Sequence, residues 1–148
     1  MTKLYEVEPM HQKPKDAKGE GFLWDDIIEC VPEENDLYVG KGATYTPFQC
    51  SYPYTIVELT GKLGNRIAKL RDCDLKNGEY VTRGEPKLDE YSRTDGFIYI
   101  KEKDISFKRL SGIFYDKVYE KNLATNRLRK VIGGVKVGER RWDVPREI

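Results

Sequence analysis

Histidine is nearly absent: His11 is the single one in 148 residues. It sits among prolines and lysines, where a proton-transfer group that must be held rigidly is least expected. A Ser-His or Cys-His nucleophile pair is therefore not expected. Cysteine is scarce too, and Cys30, Cys50 and Cys73 stand twenty and twenty-three residues apart. An odd number at such spacings fits neither a disulfide framework nor the close pairs of a zinc site, so the three are read as buried free thiols. Long apolar runs are missing; stretches such as Thr55-Ile56-Val57 and Val131-Ile132 are far short of the roughly 20 residues a membrane span needs. Residues Met1 to Glu8 carry Lys3, Glu6 and Glu8 and no apolar segment, so no secretory signal is read there and a chain retained in its cell is expected. None of G-x-S-x-G, H-E-x-x-H, G-x-x-x-x-G-K-S/T or G-x-G-x-x-G occurs; Gly40-Lys41-Gly42 lacks the third glycine and reads as a turn. No cofactor and no metal are expected, and an enzyme is disfavoured.

What is present suits a packed domain. Charged residues make up 34% and apolar residues 39%, with ten tyrosines spread along the chain, a balance that argues against disorder. A chain of this length buries roughly 70% of its unfolded surface as one domain. Net charge is +1, but unevenly placed: residues 1–100 hold 13 basic and 18 acidic side chains, residues 101–148 hold 13 and 7. The C-terminal third is thus the expected anion-facing part.

Residues 1–21 contain Pro9, Pro14, Gly19 and Gly21 among charges of both signs and read as an N-terminal arm. Residues 22–148 read as one β-rich domain. Its opening carries Trp24, Ile27, Ile28 and Val31 at i, i+3, i+4 and i+7, which predicts a short helix at about 22–31 ended by Pro32. From Tyr38 the helical period disappears. Turn signals follow at Gly61 to Asn65, Asn77-Gly78, Asp95-Gly96, Ser111-Gly112 and Gly133-Gly134, a punctuation that predicts a mainly β fold, a small antiparallel barrel or meander of SH3-like or OB-like kind. The runs between them, Tyr52 to Thr60, Arg66 to Leu70, Phe97 to Ile100, Ile105 to Leu110, Ile113 to Tyr119 and Val135 to Val137, are the expected strands. Strict alternation in the first puts Val57 and Leu59, with Ile67, in the core. Asn122 to Arg129 is open between a short helix and a strand.

Candidate chemistry falls in two groups. Asp72 and Asp74, two apart, face one side of a strand, as metal ligands or an acid pair would; a solvated strand end before the Asn77-Gly78 turn is the favoured reading. The stronger signal is cationic: Arg127, Arg129, Lys130, Lys136, Arg140, Arg141 and Arg146 surround Trp142, opposed by Glu139 and Asp143. Guanidinium forks match phosphate oxygens, and an aromatic face beside them can stack on a base. With Tyr54 and Tyr91 added as contact tyrosines, these residues make up the expected ligand surface. Arg140 and Arg141, adjacent, can share one patch only where the strand has ended.

Val39-Gly40-Lys41-Gly42-Ala43-Thr44, followed by Tyr52-Pro53-Tyr54-Thr55-Ile56-Val57-Glu58 and closing with Val137-Gly138-Glu139-Arg140-Arg141-Trp142-Asp143-Val144-Pro145, resembles a family of small bacteriophage proteins. That family opens with V-G-x-G-A-T, continues with P-Y-T-V-I-E-V and ends in a G-x-R-x-x-Y-x-D-P-like stretch. Here Trp142 or Asp143 stands near the family's tyrosine, and Val144 replaces its aspartate. The resemblance implies a phage product with a compact β fold and implies no reaction. The resulting expectation is a non-enzymatic binding protein of the host-cell cytoplasm that interferes with a host process, such as a defence system, by sequestering an anionic nucleotide signal or docking on a host protein. A nucleic-acid-binding barrel and a virion or assembly component, which would form a homo-oligomer, are the alternatives.

Overall fold

The computed structural model describes residues 31–143 and the backbone of Ile27–Ile28. The N-terminal arm, His11, Trp24, Cys30 and Arg146 lie outside the described residues. The fold is mainly β and antiparallel. Its strands are β1 (Ile27–Ile28), β2 (Gly42–Thr46), β3 (Tyr52–Thr60), β4 (Ile67–Lys76), β5 (Glu79–Thr82), β6 (Ile98–Lys101), β7 (Ile105–Arg109), β8 (Gly112–Tyr115), β9 (Val118–Asn122), β10 (Arg127–Val131) and β11 (Gly134–Val137). They pair in the order β1-β7-β8-β11-β2-β3-β4-β6-β9-β10, with β5 attached to β4. The ladder is open, since its two end strands do not pair with each other.

The expected helix at 22–31 is corrected where the chain is described: Ile27 and Ile28 are strand, opposite Arg109 and Lys108 of β7. A pair of adjacent β-branched residues satisfies a helical stripe and a strand equally, and a neighbouring edge decides. The ambiguity at 122–129 resolves to a hairpin. Asn122 opposes Arg127, the Asn122 side chain accepts from the Ala124 and Thr125 amides at 2.8 and 3.1 Å, and Asn126 takes the left-handed φ of 60° that the turn requires.

The expected single run from Ile113 to Tyr119 is two strands, β8 and β9, interrupted at Asp116-Lys117. Its partner breaks at Ile132-Gly133, between β10 and β11. Val118 opposes Val131, yet Tyr115 opposes Val135, so pairing resumes one residue out of step across the break. Such an extra residue bends a hairpin. One long bent hairpin therefore supplies β8 and β11 to one half of the ladder and β9 to the other, where Tyr99 opposes Tyr119.

The core is Leu37, Ala43, Ile56, Ala68, Leu70, Ile98, Ile100, Ile113, Tyr115, Val118, Val135 and Val137, with Leu59, Tyr45 and Tyr54 packed against it. Strict alternation along β3 is corrected by a β-bulge at Val57: Ile56 opposes Leu70, but Glu58 opposes Lys69 and Leu59 opposes Ala68. The extra residue turns Leu59 back to the face of Ile56 and sends Ile67, opposite Thr60, outward. Leu59 is thus core as expected, whereas Val57 and Ile67 are not part of the cluster. Leu59→Ala is expected to cost about 2 kcal/mol and Val57→Ala less than about 1; equal urea midpoint shifts for the two variants would contradict the bulge.

Two buried ion pairs tie one end of the sheet together. Glu102, fully buried, accepts from the Gly64 and Arg66 amides at 2.7 and 3.1 Å and from Arg66 Nε and Nη2 at 3.0 and 2.6 Å. Asp36 and Lys108 meet at 2.8 Å, and Lys108 Nζ also donates to the Val31 carbonyl.

Candidate binding groove

In an antiparallel ladder, residues directly opposite each other share a face. The register therefore sets one outward row across five strands: Phe107 opposes Phe114, Phe114 opposes Lys136, Lys136 opposes Thr44, and Thr44 opposes Pro53. The inward row beside it, Ile113, Val137, Ala43 and Tyr54, belongs to the core and its margin. Phe107 and Phe114 stack at 4.6 Å with their planes 25° apart. Lys136 Nζ lies 5.5 Å from the Phe114 ring centre.

Residues 138–143 then cross this outward face as a strap. The Gly138 amide donates to Gly42 O at 2.9 Å, Thr44 Oγ1 donates to Glu139 O at 2.7 Å, and Ser51 and Asp143 exchange two backbone bonds. Gly42 leaves room for it, since a Cβ there would meet the Arg140 side chain at 2.9 Å. Arg140 lies down on the sheet, donating through Nε and Nη2 to Thr55 Oγ1 at 3.2 and 3.0 Å. Thr55 in turn accepts from Thr82 Oγ1 at 2.8 Å.

Between the strap and the phenylalanine pair is a groove of about 340 Å³, lined among others by Phe107, Phe114, Lys136, Glu139, Arg141 and Ser106. Sites for small ligands begin at roughly 300 Å³. Lys136 pairs with Glu139 at 2.8 Å, which together with the charge attraction holds the Glu139 carboxyl below its ordinary range. Arg141 pairs with Asp143 at 3.5 Å, both largely exposed. Exposed pairs of this sort hold with about 0–1 kcal/mol, so an incoming phosphate can replace the carboxylates. The groove thus places an aromatic, apolar wall beside two cations.

The cationic residues singled out in the sequence do not form one patch. Arg127 and Arg129 share one face of β10 and Lys130 the other, by the alternation of a strand. Arg129 reaches Glu120 at 3.9 Å. Lys136 and Arg141 line the groove, Arg140 is spent on Thr55, and Trp142, within the strap, is 42% exposed. The strand has ended at Val137, and the two arginines take different partners, Arg140 on Thr55 and Arg141 on Asp143. Tyr54 is half-buried and packs edge-on against Tyr45 at 5.7 Å beside the core, apart from the groove lining, and burial pushes its hydroxyl upward. Tyr91 stands exposed on the loop after β5, away from the groove lining.

Asp72 and Asp74 face one side as expected, and Arg83 lies between them, its Nε 3.3 Å from Asp72 and its Nη2 2.9 Å from Asp74. Arg83 thus bridges the two carboxylates. Among the described residues no group of three or more His, Cys, Asp or Glu side chains is arranged to hold a metal, and no helix is long and apolar enough to cross a membrane. Cys73 is buried, 3.2 Å from Thr55 Oγ1, and Cys50 is half-buried.

Sequence reasoning passed over Phe107 and Phe114. The signal was available: a two-residue turn at Leu110-Ser111 fixes the register of β7 and β8 and sets 107 opposite 114. Comparison with known proteins adds no neighbour, for no family model, curated protein or solved structure matches the chain.

Proposed function

We propose that the chain is a non-enzymatic binding protein whose groove takes a nucleotide, its base against the Phe107–Phe114 pair and its phosphate on Lys136 and Arg141. The stacked pair beside exchangeable cations carries this reading. Stacking on an aromatic side chain suits any base, while the cations select for a charged ligand. Taken with the resemblance to phage proteins, the role is that of a phage-encoded protein that sequesters an anionic nucleotide signal in the host cytoplasm and so blunts a host process such as defence. The same reading takes the sheet as a small barrel of SH3-like or OB-like kind, supported by the bent hairpin whose strands lie in both halves of the ladder.

Isothermal titration with a panel of cyclic nucleotides and nucleotide-ribose compounds tests the site. One member is expected to bind with micromolar affinity or better. Phe114→Ala is expected to weaken it by roughly 5- to 150-fold, the equivalent of a base stack worth about 1–3 kcal/mol. No heat from any member would dismiss the nucleotide, and specific retention of a host protein on the immobilised chain would replace it with docking.

A further inference from the structure

A second face, sharing no lining residue with the groove, gathers cations around aromatic rings. Its register row runs Glu58, Lys69, Tyr99, Tyr119 and Lys130 across β3, β4, β6, β9 and β10. Lys101 Nζ lies 4.5 Å from the Tyr119 ring centre and Lys121 Nζ 5.7 Å from that of Tyr99. Lys69 and Arg71 flank Phe97 at 4.1 and 5.9 Å. A hollow of about 290 Å³ opens between Lys69, Lys121 and Leu128 over Tyr99.

The acids of this face are accounted for one by one. Glu58 pairs with Lys69 at 3.4 Å, and Asp72 is held by Arg71 and Arg83. Asp95 accepts the hydroxyl of Tyr99, and Asp104 that of Tyr119 at 3.1 Å. Among the described residues, Lys101, Lys121 and Lys130 have no carboxylate within ion-pair distance. Among the described residues these three are the cations of this face left without an acid.

Their spacing argues for a polymer. Lys101 on β6, Lys121 on β9 and Lys130 on β10 are spread over two inter-strand steps, roughly 10 Å, rather than gathered at one point. Tyr119, half-buried in the middle of the row, lies where an unpaired base would meet it. A base stacked there would displace the lysine head from the ring, and stacking exceeds an exposed lysine–ring contact in strength. Paired bases in a duplex have no face to offer. We propose that the outer face of β4, β6, β9 and β10 binds single-stranded nucleic acid, with Lys101, Lys121 and Lys130 on the phosphates and Tyr119 beneath a base.

Fluorescence anisotropy of a labelled oligothymidylate with the full chain tests this, beginning at about 50 mM salt. Binding is expected to weaken with salt at a log–log slope of about −2, three phosphates at −0.7 each. Reversing Lys101, Lys121 and Lys130 to glutamate together should weaken binding at least roughly tenfold and flatten the slope by about 2. Reversing Arg127 and Arg129, on the opposite face of β10, should change it by less than about twofold, because they lie off the path. Absence of binding at low salt, equal loss from the two sets of reversals, or tighter binding of a duplex would each overturn the proposal. The nucleotide groove stands or falls separately, since neither set of reversals touches its lining.

Discussion

Glu102→Ala is expected to cost about 3–5 kcal/mol, because removing one partner of a buried ion pair strands the other. Glu102 is fully buried and its partner Arg66 is 8% exposed. Without the carboxylate, the guanidinium keeps, among the described residues, the Leu37 and Glu33 carbonyls at 3.3 and 3.1 Å, neither of which carries a full charge. The Gly64 and Arg66 amides lose their acceptor as well. Urea unfolding measures the loss, and at roughly 2–4 °C per kcal/mol for a chain of this size the melting temperature should drop by about 10 °C. Replacing both partners, as Glu102→Leu with Arg66→Met, should recover much of the deficit, since apolar replacements of buried pairs are often neutral. A single variant within about 1 kcal/mol of the parent would show that the pair contributes little.

The same carboxyl sets an acid limit. Burial favours its protonated form, but the hydrogen bonds from the Arg66 side chain and from the Arg66 and Gly64 amides, with the guanidinium charge, outweigh burial and hold it below the ordinary 4.5. A group depressed in the folded chain contributes its full stability above the unfolded value and loses it as pH falls through the lower folded one. Stability should therefore fall with acid below about pH 4.5. In Glu102→Ala that part of the slope should be absent. Persistence of the whole slope in the variant would overturn its assignment to Glu102.

Most strands were legible because turn residues and β-rich runs are local signals. The Asn77-Gly78 turn, with both residues at positive φ, closes β4 and β5, and β3 spans the expected Tyr52–Thr60. What escaped was set by partners distant in sequence. The bulge at Val57 leaves no mark in the composition of β3, yet it decides that Leu59 and not Val57 meets the core. Glu102 reads in the sequence as one acid among lysines at a strand end, and only the crossing of Gly64 and Arg66 against it makes it a buried anchor. The cationic run from Arg127 to Arg141 looked like one patch because sequence proximity hides alternation and the return of the chain. In the fold it divides among the two faces of β10, the groove and the strap. Lys101 and Lys121, which surround tyrosines with Lys69, come together only through the pairing of β6 with β4 and with β9.

The bend of the long hairpin rests on Gly133, and Gly133→Ala is expected to cost about 4 kcal/mol, from backbone strain of about 1–3 and overpacking of about 1–3. Its φ of 114° lies where a side chain is disfavoured, and a Cβ would stand 2.7 Å from both Pro47 Cα and Thr46 O. Those neighbours are backbone and cannot rotate away. Tyr45, whose ring carbon would be 2.8 Å distant, is itself fixed by its hydroxyl on Ile132 O at 2.7 Å. Gly64 supplies the comparison: its φ is 98°, but a Cβ there meets nothing within 4 Å. Gly64→Ala should therefore cost the strain alone, about 1–3 kcal/mol, and the difference between the two variants in urea unfolding isolates the crowding at the bend. Because β10 and β11 are joined through this point, the Gly133 variant should also loosen the strap and groove that β11 carries, which faster amide exchange at Val135 and Val137 would register. Equal costs for the two glycines, with exchange at β11 unchanged, would mean that the bend tolerates a side chain and that the two halves of the ladder are held together elsewhere.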